Sequence, residues 1–368
     1  MELSPAEVRQ FAFDGVPVTA VPETGGHINR SFRVQCAVPG GERQYLVQRL
    51  NPRVFPDGEA VMANLSAVTN HLHATEPARR THLPLQHELV LVPTHSGASW
   101  CTASDGAIWR AFPWLAGRPA QERASDRAAA HAAGLAFGTF LELLSDYAGP
   151  PLSCTIPHFH DTAWYFAELE DAAREDVAGR GSRVSDELDR CRRHGDLASG
   201  LPKAGPNGVP TRVTHNDAKS ANVLLDASGH PLAVVDLDTV MPGSALSDVG
   251  DLIRSLASPT AEDEPDLTLV AADPQLVLAA LRGWFCGAGD ALTVHERASA
   301  VLAGCVITLE QAARFLTDYL RGDAYYGAAD PEQNLRRTRT QLRLFQSLLA
   351  QRRELEHAAS RLPTKADR

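Results

Sequence analysis

The chain has 368 residues, a charged fraction of 22% and a net charge of −10, which suit a soluble two-domain or bilobal protein and exclude a generally basic nucleic-acid-binding surface. Six cysteines at 36, 101, 154, 191, 286 and 305 lack CxxC spacing, so free thiols are expected rather than a zinc site or a disulfide framework. The opening "MELSPAEVRQFAF" has neither the basic nor the apolar region of a signal peptide, and no stretch reads as an uninterrupted membrane span; a cytoplasmic protein without membrane or protein partners is expected.

In chain order, the first hundred or so residues are strand-rich. "SFRVQCAVP" and "RQYLVQRL" flank "GGER", which predicts a hairpin turning near Gly40 and Gly41. In "PDGEAVMANLSAVTNHLHA", apolar residues at Val61, Met62, Leu65, Val68 and Leu72 predict an amphipathic helix with Asp57 as N-cap. "ELVLVPT" and "SWCTASDGAIWRAFPWL" predict further strands, with turns at His95–Gly97 and Asp105–Gly106. After "LAGRP" the chain turns helical. "DRAAAHAAGLAFGTFLELLSDY" predicts a buried helix whose Gly134 and Gly138 permit close packing, and "HDTAWYFAELEDAAR" and "SRVSDELDRCRRHGDLASGL" predict two more. Beyond Ser244 four helical stretches follow, beginning at "DVGDLIRSLA", "PQLVLAALRG", "ERASAVLAG" and "RTRTQLRLF". The last residues, 359–368, read as a frayed tail.

Between these helices lies "VTHNDAKSANVLLDASGHPLAVVDLDTV", read as two short strands around a loop. Asp236 and Asp238 alternate on one strand face, where two carboxylates repel unless a cation lies near. Asp217, Asn222 five residues on, and then Asp236 have the spacing of a phosphoryl-transfer site: one Asp addresses the attacking hydroxyl, while an Asn and a second Asp hold Mg²⁺. The bland alternative for each piece alone is a polar turn and a half-wet strand. Lys219 is one of three lysines, with 203 and 365. Two positions after Asp217, it can offset charge on the transferring group.

The run H-N-D-x-K-x-x-N resembles the catalytic loop of the protein-kinase-like fold in the aminoglycoside-phosphotransferase superfamily. "DLDTVMPG" with "SDVGDLIR" resembles more narrowly the N-acetylhexosamine 1-kinases and their bacterial relatives. The similarity extends to "GGHINRSFRV", "YLVQRLNPRVFPD", "WRAFPWLAG" and "LEQAARFLTDYLRGDAYY". It implies an α+β bilobal fold: a β-rich nucleotide-binding lobe over 1–110, a linker over 111–117 and a helical catalytic and substrate lobe over 118–358. It further implies ATP and Mg²⁺ as cofactors and a small sugar as acceptor.

Under that resemblance Asp217 and Lys219 are catalytic, and Asn222, Asp236 and Asp238 serve the metal. Gly25, Gly26, Gln48, Arg49 and Ala111 attend the nucleotide, and His27, Asn29, Arg314 and Tyr325 the sugar. The chain also departs from the pattern. It has no Walker A sequence and no full G-x-G-x-x-G, and its first 202 residues contain no lysine. Either Gln48 or Arg49 must stand in for the third-strand lysine, because alternation lets only one face the cleft; its helix partner is Glu59, unless that residue is only a first-turn acid.

Three structural expectations accompany these: Asp248 receives catalytic-loop N–H groups, Asp251 pairs with Arg254, and Arg314 shares a helix face with Asp318, where the plain reading is an exposed salt bridge. Three rivals remain: kinases of other alcohols (an aminoglycoside, choline, homoserine or a methylthio-sugar), a nucleotide-binding pseudoenzyme, and a D-x-D glycosyltransferase. The last lacks an alternating strand–helix sheet upstream.

Overall fold

The computed structural model describes residues 5–23, 28–74, 89–120, 126–202, 205 and 208–363. After a single helical turn, α1 (Pro5–Val8), come β1 (Val16–Glu23), β2 (Arg30–Val38) and β3 (Gly41–Arg49). The β2–β3 hairpin turns at Gly40, whose φ of 88° suits glycine. Helix α2 (Gly58–Ala74) follows, then β4 (Cys101–Thr102) and β5 (Ile108–Pro113). These strands form one antiparallel sheet in the order β1-β2-β3-β5-β4. Alternation divides its two faces. Phe32, Val34, Cys36, Val47, Trp109 and Ala111 pack on one side with Phe11, while Ile108 and Phe112 join the core beneath α2.

Helix α2 buries all five of the apolar residues predicted to do so, and Asp57 Oδ1 accepts the Ala60 N–H at 2.9 Å, as an N-cap does. Its buried Asn64 reaches into the lower lobe: Nδ2 donates to the carbonyls of Ser153 and Val240, and Oδ1 accepts the Ser153 N–H. The expected strand over "ELVLVPT" does not form. That segment, described from Leu89 on, makes one bridge, Thr94 with Phe11, and scattered backbone bonds, among them Val92 N–H to the Ala111 carbonyl and Ala12 N–H to the Pro93 carbonyl.

The chain leaves the upper sheet after Pro113 and enters the lower lobe at β6 (Arg118–Pro119). Ala111 therefore belongs to the sheet, opposite Val47 of β3, and not to the connector. Below lie α3 (Arg127–Leu143), α4 (Thr162–Glu175) and α5 (Ser185–Arg193), then four short strands: β7 (Arg212–Thr214), β8 (Val223–Leu225), β9 (Pro231–Val234) and β10 (Met241–Gly243). Three of these strands, β7, β8 and β9, fall in the segment where two were expected, and they join a β6-β8-β9 sheet and a β10-β7 pair.

Helices α6 (Ala245–Leu256), α7 (Pro274–Ala288), α8 (Val294–Leu320) and α9 (Gln333–Ala359) complete the lobe. Gly134 and Gly138 on α3 lie against the backbone of α7, and Gly283 and Gly287 on α7 lie against that of α3; a Cβ at any of the four would meet main-chain atoms. Helix α8 is long and apolar enough to cross a membrane by length and composition, which the sequence reading did not anticipate, yet most of it is buried as the lobe's central helix. The six cysteines are unpaired.

Candidate active site

The candidate catalytic loop runs from β7 to β8 across the N-terminal end of α6. His215 and Asn216 donate their backbone N–H groups to the two oxygens of Asp248, at 2.9 and 2.6 Å, as expected. Asn216 is left-handed, with φ 62°, a conformation that asparagine tolerates better than most residues. Its side chain bonds the backbone of Thr214 and Thr239. His215 is buried edge-on against Phe137 and Phe140. Its Nε2 lies 3.0 Å from the Val235 carbonyl and its Nδ1 accepts the Asp217 N–H, which assigns a neutral ring protonated at Nε2. Asp251 pairs with Arg254 at 2.7 Å, and Arg254 with Glu262 at 2.8 Å.

Asp217 Oδ2 receives Lys219 Nζ at 2.6 Å and Asn222 Nδ2 at 3.0 Å. Its surroundings resist charge, but the lysine more than offsets them and holds the carboxyl down at about 2. Lys219 is shifted the other way: desolvation works against its charge, and Asp217 and Asp236 overcome it. Since Asn222 directs its Nδ2 to Asp217, its Oδ1 is left available. Asn222 accepts the Val235 N–H on its backbone carbonyl, which brings Asp236 alongside.

Asp236 is not on a strand. β9 ends at Val234, and Asp236 has a left-handed φ of 62° at the start of a short 3₁₀ turn. The expected shared strand face for Asp236 and Asp238 is therefore absent, because the backbone reverses between them. Asp236 opens to the cleft with no hydrogen-bond or ion-pair partner among the described residues. The protein walls around it, and then the charge of Asp238, push its pKa up to about 6. Among the described residues no three His, Cys, Asp or Glu form a ready metal cage. An amide oxygen and an uncompensated carboxylate do fit Mg²⁺, which takes few protein ligands and completes its shell with phosphates and water.

Asp238 has a different task from the metal role expected of it. Buried, it receives Asn29 Nδ2 at 2.6 Å and forms an ion pair with Arg110. Arg110, only 1% exposed, was not singled out in the sequence. It lies on β5 directly across from Gln48 of β3, donating to Gln48 Oε1 from Nε and Nη2 at 3.2 and 2.9 Å. Gln48 in turn donates to Ser31. Of the two third-strand candidates, Gln48 faces α2 and the cleft side, while Arg49 points to the other face and pairs with Asp105 at 3.0 Å.

The lobe's inward cation is therefore Arg110, and its acidic partner is Asp238. Glu59 is an exposed first-turn acid, and Met62 occupies the helix position nearest the guanidinium. Alternation within "IWRAF" offered a signal: it puts Arg110 on the face of Ile108 and Phe112. Asn29 is also engaged at both ends, its Oδ1 accepting the Asn51 N–H at 3.1 Å, so it braces the lobes and is not free for a sugar. Ala111 has its carbonyl taken by Val92 and its side chain in the outer core, which removes it from the nucleotide. Gly25, Gly26 and His27 lie outside the described residues.

Arg314 and Asp318 do not pair. Asp318 accepts the N–H groups of Tyr325 and Tyr326 and the Asn334 amide. Arg314 is enclosed by the rings of Phe159, Tyr165 and Tyr326 at 5.0, 4.8 and 5.6 Å, with Gln311 Oε1 at 3.3 Å. Tyr325 stands edge-on to Tyr326 and is exposed. A second residue absent from the sequence expectations, and this one without a signal, is His160, which links this group to the Asp217 loop, lying 2.9 Å from Glu310 and 2.8 Å from the Asn216 carbonyl.

Residues 19–284 match the family model described as the phosphotransferase enzyme family APH. The chain belongs to that family. This APH-family chain is a small-molecule phosphotransferase with a kinase-like fold. It resembles an aminoglycoside phosphotransferase from Alicyclobacillus acidocaldarius at 15% identity and a TM-score of 0.61, covering 97% of each chain. A putative aminoglycoside phosphotransferase from Ralstonia eutropha is similar at 13% identity and a TM-score of 0.53, over 98% of this chain and 97% of that one. A choline kinase from Cryptosporidium parvum is similar at 12% identity and a TM-score of 0.50, over 92% and 89%.

Proposed function

We propose that this phosphotransferase is an ATP- and Mg²⁺-dependent kinase of a small sugar, acting on the anomeric hydroxyl of an N-acetylhexosamine. The observation that carries the reading is the grouping of Asp217, Lys219 and Asn222 beside the unpartnered carboxylate of Asp236.

Asp217 aligns the acceptor hydroxyl. So acidic a carboxylate does not remove the proton in advance; it receives it as phosphoryl transfer makes the oxygen acidic, in keeping with a loose transition state. Lys219 offsets charge on the transferring group. Asn222 Oδ1 and Asp236 would hold Mg²⁺, which when bound neutralises the nucleotide phosphates. Arg110 supplies the upper lobe's inward positive charge in place of a third-strand lysine, and Gly25 and Gly26 cover the phosphates.

On the acceptor side, Arg314, Tyr325 and His27 bond sugar hydroxyls. The aromatic enclosure of Phe159, Tyr165 and Tyr326 is already filled by the guanidinium of Arg314. A quaternary ammonium or polycationic acceptor would meet an occupied cage and a like charge, so the geometry favours an uncharged polyol over choline or an aminoglycoside.

The test is ADP release with Mg·ATP against N-acetylglucosamine, N-acetylgalactosamine, glucose, galactose, kanamycin and choline, with Asp217→Asn as control. Turnover on the hexosamines, with loss of the reducing end, is expected. Turnover confined to kanamycin or choline would discard the sugar, and retained turnover in D217N would discard the role of Asp217.

A further inference from the structure

The peptide plane that leads into Asp217 is fixed from two sides. Its N–H, on Asp217, donates to His215 Nδ1. Its carbonyl, on Asn216, faces His160 Nε2 at 2.8 Å. The other ring nitrogen of His160 faces Glu310 Oε1 at 2.9 Å. A carbonyl and a carboxylate are both acceptors, and a neutral imidazole has only one donor. Both contacts are satisfied together only when the ring is an imidazolium or Glu310 itself holds the proton. Glu310 is buried, yet Thr162 Oγ1 donates to its second oxygen at 2.6 Å and the Arg314 guanidinium stands 4.0 Å away. These favour the carboxylate, so the proton belongs to His160.

The backbone agrees with a demanding placement. His160 has a φ of 59°, a left-handed conformation that costs a non-glycine residue about 1 kcal/mol or more and persists where surrounding contacts enforce it. Its side chain is 6% exposed, so solvent does little to satisfy it.

We propose that His160 is a positioning residue of the phosphotransfer site: as an imidazolium it clamps the Asn216 carbonyl between the catalytic loop and Glu310, and so sets the backbone from which Asp217 meets the acceptor hydroxyl. The proposal rests on the reading of Asp217 given above. If His160 loses its proton, one ring nitrogen turns a lone pair toward an acceptor oxygen and the clamp opens.

The charged groups around the ring are Glu310 and Arg314 of α8 and Asp248 of α6. Burial draws the His160 pKa down; the charge and hydrogen bond of Glu310 more than reverse this, Arg314 opposes them, and the net direction is up. For a raised pKa the clamp is complete below the ordinary histidine value and is lost as pH rises through the folded-state value. Activity should therefore show an alkaline limb. Lys219, whose pKa is also raised, titrates at much higher pH.

The experiment combines ¹⁵N-histidine NMR of the intact protein with kcat-against-pH profiles for wild type, Glu310→Gln and His160→Gln, each checked for a native melt. At pH 7 both ring nitrogens of His160 should carry protons. E310Q, whose amide can donate to a neutral ring, should abolish the alkaline limb or move it down by about one pH unit or more. H160Q, which keeps one donor and does not titrate, should abolish the limb and lower kcat by about tenfold to a hundredfold, with the acceptor KM little changed. An unprotonated ring nitrogen at pH 7, or a limb that E310Q leaves in place, overturns the proposal. If wild type phosphorylates no acceptor, the catalytic reading of Asp217 fails, and the NMR measurement on wild type, which needs neither turnover nor a variant, still decides whether the charged clamp exists.

Discussion

The two sides of the cleft use their polar groups in opposite ways. On the upper side Asn29, Gln48 and Arg110 are all engaged, with Asp238 of the lower lobe closing their network. On the lower side Asp236 and the Asn222 amide oxygen are left open, beside an Asp217 held by Lys219. A closed network carries position and stability, whereas groups left without partners carry chemistry. This comparison separates two acidic residues only two positions apart: Asp238 belongs to the framework and Asp236 to the site.

The largest expected effect comes from breaking the open side. Asp217→Asn should lower kcat by about three orders of magnitude or more, within the range for loss of a positioned acid–base group and its alignment. It should leave nucleotide binding and thermal stability nearly unchanged, as read by ADP release, titration with a fluorescent nucleotide and calorimetry. A D217N protein that melts early would place Asp217 in the framework instead.

The closed side should respond through stability. Arg110→Gln alone strands the buried Asp238 carboxylate and should cost about 3–5 kcal/mol. The double variant R110Q/D238N, an amide facing an amide, should recover most of that loss in urea unfolding. Its nucleotide affinity should nevertheless stay weakened, because the inward cation is gone. Full recovery of both would make Arg110 a brace alone.

The smallest effect tests the seam between lobes away from any chemistry. Asn64→Ala leaves the Ser153 N–H and the carbonyls of Ser153 and Val240 short of partners and should cost about 1–3 kcal/mol. It should shift the urea midpoint without altering the acceptor KM.

These contrasts also explain what the sequence could disclose. Asp217, Lys219, Asn222 and Asp236 are joined by local chain, so their spacing alone places them together, and the helices beyond Ser244 follow from their own periodicity. Arg110 could not be paired from spacing: its partner Gln48 lies 62 positions away, and the choice of Gln48 over Arg49 needed the register of β3 against β5. His160 meets Glu310 across 150 positions, and nothing in "PHFHD" marks one histidine over the other. The expected strand face shared by Asp236 and Asp238 failed because the strand ends at Val234 and Asp236 itself is left-handed. Asn29 was placed with the sugar although its amide is spent between Asn51 and Asp238.

The glycine seam between α3 and α7 has a consequence for how the chain reaches this state. Gly134 and Gly138 press on the main chain of residues 280–288, and Gly283 and Gly287 on that of residues 131–139, so neither helix has side chains along that stripe with which to make an interim partner. During synthesis α3 emerges well over a hundred residues before the surface it fits, and such distant closure is slow. The lower lobe thus commits to its fold late, with an apolar helix waiting, and a chain that stalls or is cleaved before α7 presents that helix to chaperones and to aggregation.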